Sequence, residues 1–241
     1  MSSQASAAPA PSKPRWERRK EARPAELLAA ALDLFVEKGY AGTRLDDVAH
    51  RAGVSKGTLY LYFENKEDLF KAVIRESVVE RISETAGQIE RYEGPSDALL
   101  EHVVRSWWTE YGDKTTGGIS KLMMAESSNF PEIARFFLEE VIEPWHELLA
   151  SAIRRGIERG EFRRVDVEMN VHVLAASLVM LSLWKCSFGP CSQRPVDAAA
   201  YIDATVDTFV TSLKCGAPKE AADATECANR GVKRSGTRTT R

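Results

Sequence analysis

The sequence lacks the features of a secreted, disulfide-stapled or membrane-spanning chain. Only 4 of its 241 residues are cysteines, all of them fall late, and a chain of this length needs no covalent staples. The first residues do not show the basic-then-apolar order of a secretory signal. The longest apolar run, residues 171–184, is too short to span a bilayer. We therefore expect free thiols, a reducing compartment and a cytoplasmic protein.

An excess of positive charge is also missing. The 33 Lys and Arg residues are balanced by 35 Asp and Glu residues, which as a total argues against a uniformly basic nucleic-acid-binding protein. The charges are segregated, however. Residues 13–75 carry a net charge of +3, residues 76–213 carry −9 and residues 214–241 carry +4. An acidic body thus lies between two basic ends.

No segment alternates apolar and polar residues for the length of a strand beside a two-residue turn, so a sheet is not expected. The apolar residues instead recur at helical spacing, which predicts an all-α fold. We expect a disordered basic leader over residues 1–19, a small helical domain over 20–70, a larger helical domain over 71–215 and a disordered basic tail over 216–241.

Capping signals divide the small domain into short helices. A first helix is predicted from about Arg23 until Gly39 ends it. Thr43, followed three residues later by an aspartate, predicts a capping box for a second helix over about residues 44–51. Ser55 and Asn65 are predicted N-caps of the next two helices.

The larger domain carries its own start and stop signals. Pro95 and Pro131 suit the first turn of a helix, whereas Pro144 falls inside an amphipathic pattern and predicts a kink. Gly160 ends that helix, and Asp166 opens a long helix that is apolar nearly all round.

Two short helices of the small domain have the proportions of a helix-turn-helix. They cover residues 45–52 and 55–62 and meet at Gly53, which permits a positive φ. The second helix directs Lys56, Thr58, Tyr60 and Tyr62 outward. A cation, hydroxyls and aromatic rings are suited to phosphates, base edges and thymine methyl groups.

The segment over residues 43–66, TRLDDVAHRAGVSKGTLYLYFENK, resembles the DNA-binding signature of the TetR family of transcriptional regulators. The likeness continues through Lys71. It implies a TetR-like fold, with an N-terminal three-helix DNA-binding domain whose helix-turn-helix covers about residues 44–63. The candidate DNA-binding residues carried over by position are Thr43, Arg44, Ser55, Lys56, Gly57, Thr58, Tyr60, Leu61, Tyr62 and Lys66.

The rest of the chain resembles the variable, ligand-binding and dimerising part of that family. Aromatic and thioether side chains can line a cavity for varied apolar ligands, and the same side chains can equally form a packed core. The candidate ligand-binding residues are Trp107, Trp108, Tyr111, Met123, Met124, Phe130, Phe137, Trp145 and Met180. In the family the last two helices, here about residues 166–187 and 195–214, pair with a second copy in a four-helix bundle. A two-fold dimer of this kind requires a roughly palindromic operator.

The basic segment over residues 13–23 is interpreted either as an arm along the DNA backbone or as a solvated leader. Metal sites and cofactors are not expected, because the four histidines have no ligand spacing and no phosphate-binding glycine loop or nucleophile motif occurs. Taken together, the sequence predicts a ligand-responsive, homodimeric repressor that a small, largely apolar inducer releases from operator DNA, and not an enzyme. Two alternatives remain open: a redox-responsive regulator that uses Cys186 and Cys191, and an all-α enzyme.

Overall fold

The computed structural model describes residues 15–214, and their side chains from Pro24 onward. This part of the chain is helical and contains no strand. Its α-helices are α1 (Arg15–Gly42), α2 (Leu45–Arg51), α3 (Lys56–Tyr60), α4 (Lys66–Ile74), α5 (Glu80–Glu90), α6 (Ser96–Trp107), α7 (Gly117–Glu126), α8 (Pro131–Phe137), α9 (Glu143–Glu158), α10 (Val167–Ser187) and α11 (Ala198–Lys214). The all-α prediction is confirmed.

The first helix begins earlier than the sequence predicted. It starts at Arg15 and runs through Pro24, so residues 15–19 are helical and not part of a disordered leader. The Arg, Lys, Glu and Ala residues before Pro24 are strong helix formers, which explains the extension. At the other end, Gly39 adopts a φ of +78° and interrupts the helical geometry, as expected. The predicted tail over residues 216–241 and most of the leader lie outside the described residues.

Two of the predicted capping interactions in the small domain are present and one is not. Ser55 Oγ accepts a hydrogen bond from the amide of Thr58, and Asn65 Oδ1 accepts one from the amide of Asp68. The predicted capping box at Thr43 is wrong. The Thr43 hydroxyl instead donates toward the carbonyl oxygens of Leu34 and Gly39, at 3.1 and 2.7 Å. Thr43 is buried just after α1, and its hydroxyl lies within hydrogen-bond distance of these α1 carbonyls while α2 has no side-chain cap.

One hydrophobic core joins the small domain to the adjacent end of the larger domain. Phe35, Tyr40 and Phe70 stack within the small domain, with ring centroids 5.2 to 5.8 Å apart. Phe130, which follows α7, extends this cluster with its ring 4.8 Å from that of Tyr40. Val36 of α1 also packs directly against α7, so the two domains share buried apolar surface.

A second core lies farther along the chain, where α6, α9 and α10 pack together. Leu99, Val103, Leu149, Ile153 and Leu174 are completely buried there. The last helix, α11, packs on α6 and α10. Asp166 caps α10 as predicted, because its carboxylate accepts a hydrogen bond from the amide of Met169.

Three π-helical segments interrupt the α-helices of the described chain. The first π segment (Arg75–Val79) joins α4 to α5, the second (Trp108–Gly112) follows α6, and the third (Leu138–Ile142) joins α8 to α9. A π segment ends two residues before Pro144, the position at which the sequence predicted a kink. Proline offers no N–H to the preceding turn, so wider hydrogen bonding replaces the regular pattern there.

Within the described chain, α10 is the one helix that meets the length and hydropathy criteria for a membrane span, with a mean hydropathy of 1.5. At 21 residues it is longer than the apolar run read from the sequence. A single helix of this kind is weak evidence for a span, because a packed helix of a bundle meets the same criteria.

Candidate DNA interface and ligand cavity

The two short helices α2 and α3 form a tight helix-turn-helix. Gly53 has a φ of +67°, and the amide of Val54 donates to the carbonyl of Ala49 at 2.9 Å. Ala49 and Leu59 are buried where the helices meet the core. A residue with a Cβ would be strained at Gly53, so this glycine fixes the angle at which α3 is presented.

The outer side of α3 is exposed over nearly its whole length. Ser55, Lys56 and Gly57 form its exposed beginning. Tyr60 is 46% exposed and Leu61 is 82% exposed. Because Leu61 gains nothing from packing in the isolated chain, its exposure fits apolar contact with a thymine methyl group. Thr58 is half-buried with its hydroxyl 2.9 Å from that of Ser55, and Tyr62 is half-buried beside Phe63.

Most of the cations around the helix-turn-helix are already paired with carboxylates. Lys56 Nζ lies 2.8 Å from Asp46 Oδ1, and this hydrogen-bonded pair raises the pKa of Lys56. Arg44 is exposed and has no carboxylate partner among the described side chains. Two further pairs join α1 to α2, namely Lys38 with Asp47 and Arg51 with Glu37.

Two candidate DNA-binding residues have structural roles inside the protein. Thr43 as a whole residue is 1% exposed, so almost none of its surface is accessible to DNA in this conformation. Lys66 donates to the carbonyl oxygens of Tyr40 and Ala41 at 2.8 and 3.3 Å, and its ammonium lies 4.5 Å from the centroid of the Tyr40 ring. Partial burial lowers the pKa of Lys66. Both residues thus hold the turn between α1 and α2, and their contact with DNA stays a prediction.

A cavity of about 270 Å³ lies in the larger domain. Five of the nine candidate ligand-binding residues line it: Trp107, Tyr111, Met124, Phe137 and Trp145. The other four do not. Trp108 and Met123 are buried in the cores, Phe130 packs on Tyr40, and Met180 is exposed on α10. An apolar wall of aromatic rings is typical of sites for apolar ligands.

All three π segments contribute side chains to this cavity. The first supplies Ser77 and Val78, the second Glu110 and Tyr111, and the third Val141 and Ile142. A π turn widens a helix and is often found at functional sites. Tyr111 is buried, which raises the pKa of its hydroxyl to about 12, and this hydroxyl lies 3.0 Å from that of Ser120. The cavity wall is therefore polar at this point but uncharged.

The sequence did not identify the polar lining residues. Arg81, Glu110, His146 and His172 all border the cavity, and the two imidazole rings meet edge to face with centroids 5.0 Å apart. Burial, with a smaller effect of His172, lowers the pKa of His146. From the sequence, the histidines were considered only as metal ligands. His146 and His172 are 26 positions apart, so no local spacing predicted that their rings would be in contact.

Two polar contacts connect the elements around the cavity to the ends of α1 and α4, the helices that flank the helix-turn-helix. At the end of α7, Glu126 Oε1 accepts a hydrogen bond from the amide of Ala41, at 3.2 Å. Arg75, directly after α4, makes two hydrogen bonds of 2.9 and 2.6 Å to the carboxylate of Glu140 in the third π segment. Both sides of the cavity thus contact the segments that carry α2 and α3.

Two family descriptions match this chain. Residues 27–73 match the tetR family of bacterial regulatory proteins, and residues 93–209 match the C-terminal domain of tetracycline-repressor-like proteins. The chain belongs to the TetR family. This TetR-family chain is 26% identical over 153 residues to the fatty acid metabolism regulator protein of Bacillus subtilis, covering 62% of this chain and 77% of that one. It is 27% identical over 192 residues to the transcriptional repressor KstR2 of Rhodococcus jostii, covering 78% and 91%.

Solved structures of TetR-like regulators share the fold. FadR of Bacillus subtilis, solved with stearoyl-CoA, has a TM-score of 0.62 at 19% identity and covers 78% of this chain and 98% of that one. A regulator from Saccharomonospora viridis, solved with choline, has a TM-score of 0.66 at 21% identity and covers 79% and 96%.

Family membership confirms the prediction of a DNA-binding transcriptional regulator, and excludes the all-α enzyme among the alternatives. The redox alternative finds no support. Cys186 and Cys191 are both free thiols, and the relatives named above are not described as redox regulators. Among the described residues there is also no cluster of three or more potential metal ligands.

Proposed function

We propose that this protein is a cytoplasmic repressor that binds a palindromic operator as a homodimer and leaves it when a small, largely apolar inducer fills the cavity. The observation that carries this proposal is the cavity itself, because it lies against the segments that hold the helix-turn-helix. The DNA-binding side chains would be those exposed on α3, with Arg44, a cation at the start of α2 that has no carboxylate partner among the described side chains.

The cavity favours a ligand of modest size. Its volume of about 270 Å³ is near the lower end of the range of about 300–1,000 Å³ common for ligand sites. Trp107, Trp145 and Phe137 offer apolar surface, and the Tyr111 hydroxyl and the two histidines offer hydrogen bonds. The relative solved with stearoyl-CoA makes acyl compounds the first class to test. The volume favours medium acyl chains over an 18-carbon chain.

Release from DNA would follow from differential affinity for two arrangements of the same helices. Helix α7 contributes Ser120 and Met124 to the cavity and Glu126 to the turn before α2. A ligand that moves α7 or the first π segment would change the position of α3 in each half of the dimer. Coupling of this kind is reciprocal, so operator DNA must weaken ligand binding by the same factor.

The test combines operator selection with ligand titration. A duplex selected from a random pool by the full-length protein should bind with an affinity that falls as salt rises. Decanoic acid, a medium-chain acyl compound without the large charged CoA group, should release it, with choline as the polar comparison. Lys56→Ala should weaken the complex with operator DNA without changing ligand affinity. Trp145→Ala should weaken ligand binding without changing operator affinity. A ligand that binds tightly and leaves operator affinity unchanged would refute the inducer assignment.

A further inference from the structure

Two histidines in the cavity wall have no hydrogen-bond partner among the described residues. His146 on α9 is half-buried and His172 on α10 is exposed, and their rings meet edge to face with centroids 5.0 Å apart. The Tyr111 hydroxyl, also in the wall, already lies 3.0 Å from that of Ser120. The two imidazoles remain available to a ligand, since each neutral ring carries one N–H donor and one acceptor nitrogen.

The titratable groups of the wall can gain positive charge but not negative charge. Burial raises the pKa of the Tyr111 hydroxyl to about 12, so this group stays neutral. Arg81 in the wall is already paired with Glu84 at 2.7 Å. Glu110, the carboxylate of the wall, is paired with Lys114 at the same distance, 2.7 Å. An imidazole, by contrast, takes up a proton near neutral pH when an anion lies beside it. This pattern favours an anionic ligand over a cationic one.

The charged groups on the helices that carry the histidines lie elsewhere. The carboxylates closest to the two histidines in sequence, those of Glu143, Glu147 and Glu168, are exposed and do not line the cavity. The pKa of His146 is lowered first by burial and then by His172. Its ring is therefore neutral at about pH 7 before a ligand binds.

The aromatic wall of the cavity (Trp107, Phe137, Trp145) lies beside the histidine pair. Trp145 directly precedes His146 in sequence, and its ring lies 6.1 Å from that of Trp107. A ligand that fills the space along the aromatic wall also displaces water from the imidazoles. A wholly apolar ligand would leave their N–H groups without partners, which costs free energy. A ligand with an apolar chain and an accepting end satisfies both parts of the wall.

We propose that the cavity takes a medium-chain carboxylic acid, whose carboxylate is held by the imidazoles of His146 and His172 and whose chain lies along the aromatic wall. The inference rests on the proposed function and names the chemical class of its inducer. The two carboxylate oxygens can each accept a hydrogen bond, and such bonds are stronger when the donor is also charged. The carboxylate favours the protonated form of imidazole, so the complex takes up a proton from solvent.

Three ligands with the same ten-carbon chain test the head group. Decanoic acid should bind the full-length protein at about pH 7 about tenfold more tightly than decanol, because hydrogen bonds to charged groups are the stronger ones. Decyltrimethylammonium should bind no more tightly than decanol. Isothermal titration calorimetry measures all three affinities. Titrations of decanoic acid in buffers of different ionisation enthalpy should also show an uptake of about one proton.

The affinity for decanoic acid should rise as pH falls from about 8 to about 7, by up to about tenfold for each proton taken up. The carboxyl group stays ionised over this range, since its ordinary pKa is about 4. The affinity for decanol should not change with pH, because its hydroxyl does not favour imidazolium.

Variants of the histidine pair locate the effect. His146→Gln combined with His172→Gln should bind decanol as the unchanged chain does, which shows that the cavity is intact. Decanoic acid should lose most of its advantage over decanol, together with its proton uptake and pH dependence. If the double variant does not fold, His172→Gln alone, at an exposed position, should reduce all three. His102→Gln is the matched control, since His102 lies outside the cavity lining beside Gln88, and it should change none of them.

The outcomes separate this inference from the proposed function. Decanol that binds as tightly as decanoic acid, decyltrimethylammonium that binds most tightly of the three, or decanoic acid that binds without proton uptake each overturn the inference and leave an apolar inducer in place. If none of the three ligands binds, this inference is overturned together with the acyl class named in the proposed function.

Discussion

The ion pair between Lys56 and Asp46 places a carboxylate beside a residue predicted to bind phosphate. Both side chains are about 60% exposed, so the pair is weak, and a phosphate can replace Asp46 as the partner of Lys56. Binding of a phosphate by Lys56 is then opposed by repulsion, because the Asp46 carboxylate is left near the negatively charged DNA backbone. Asp46 would thus limit operator affinity.

Replacing this carboxylate should strengthen DNA binding. Asp46→Asn is expected to raise operator affinity by a small factor, since exposed ion pairs are weak. The slope of log affinity against log salt should steepen by up to about 0.9, the value of one phosphate contact. Fluorescence anisotropy over a salt series measures both. In a Lys56→Ala background the gain should vanish, and a gain that persists there would mean that Asp46 acts by general repulsion and not through Lys56.

The half-buried imidazole of His146 should make stability depend on pH. Its pKa is lowered in the folded chain by burial and by His172, so the unfolded chain takes up the proton first as pH falls. Stability should therefore decrease as pH drops below about 6.5, the ordinary pKa of histidine. Urea unfolding at about pH 7.5 and about pH 5.5 should show a smaller decrease for His146→Gln than for the unchanged chain. His102→Gln, at an exposed position, should leave the decrease as it is.

At the scale of single residues, capping rules correctly predicted hydrogen bonds between residues that are close in sequence. Ser55, Asn65 and Asp166 cap their helices because the amides they bind lie three residues away. The capping box predicted at Thr43 was wrong because its hydroxyl donates toward carbonyl oxygens of α1 instead. Contacts such as that between His146 and His172 join distant segments, so no local pattern predicts them.

The π segments are the elements on which ligand control would depend. Arg75 in the first and Glu140 in the third are tied by two hydrogen bonds, and the Arg75 guanidinium also lies 5.1 Å from the ring centroid of Phe136. This pair fixes the end of α4 relative to the far side of the cavity. A ligand that separates the two π segments would have to move α4 with them.

Breaking this tie should uncouple the two sites without unfolding the protein. Arg75→Gln is expected to cost at most about 1 kcal/mol of stability, because the pair is largely exposed. Ligand and operator should each still bind, but the ligand should reduce operator affinity by a smaller factor. Anisotropy with and without saturating ligand measures that factor. The charge-swapped variant Arg75→Glu with Glu140→Arg should restore the factor by which ligand lowers operator affinity. If Arg75→Gln shows the same factor as the unchanged chain, the Arg75–Glu140 pair does not carry the coupling.

The existence of the helices, but not their interruptions, could be predicted from the sequence. Apolar periodicity identified each long helix because burial of one face decides whether it forms. The three π segments depend on how neighbouring helices pack around the cavity, and only the one before Pro144 had a local cause. The cavity is bounded by these segments, so its aromatic residues could be listed but its shape could not be derived.

At the scale of the whole molecule, a two-fold dimer predicts the distance between the two half-sites of the operator. A rigid two-fold dimer presents its two α3 helices at a fixed separation, which must match half-sites about one helical turn, roughly 34–36 Å, or a multiple of it apart. Inserting about five base pairs, half a turn, between the half-sites of a selected operator should abolish high-affinity binding. A gel shift measures this. Equal affinity for both spacings would contradict a rigid dimer and favour independent binding of each half.

Two tryptophans that line the cavity, Trp107 and Trp145, also give the protein an optical reporter of its own. The Trp107 ring lies 6.1 Å from that of Trp145 and 6.5 Å from that of Trp108, close enough for their excited states to interact. A ligand that enters between Trp107 and Trp145 must alter this interaction. Occupancy of the cavity can therefore be followed by near-ultraviolet circular dichroism and intrinsic fluorescence of the unlabelled chain, even while it is bound to DNA.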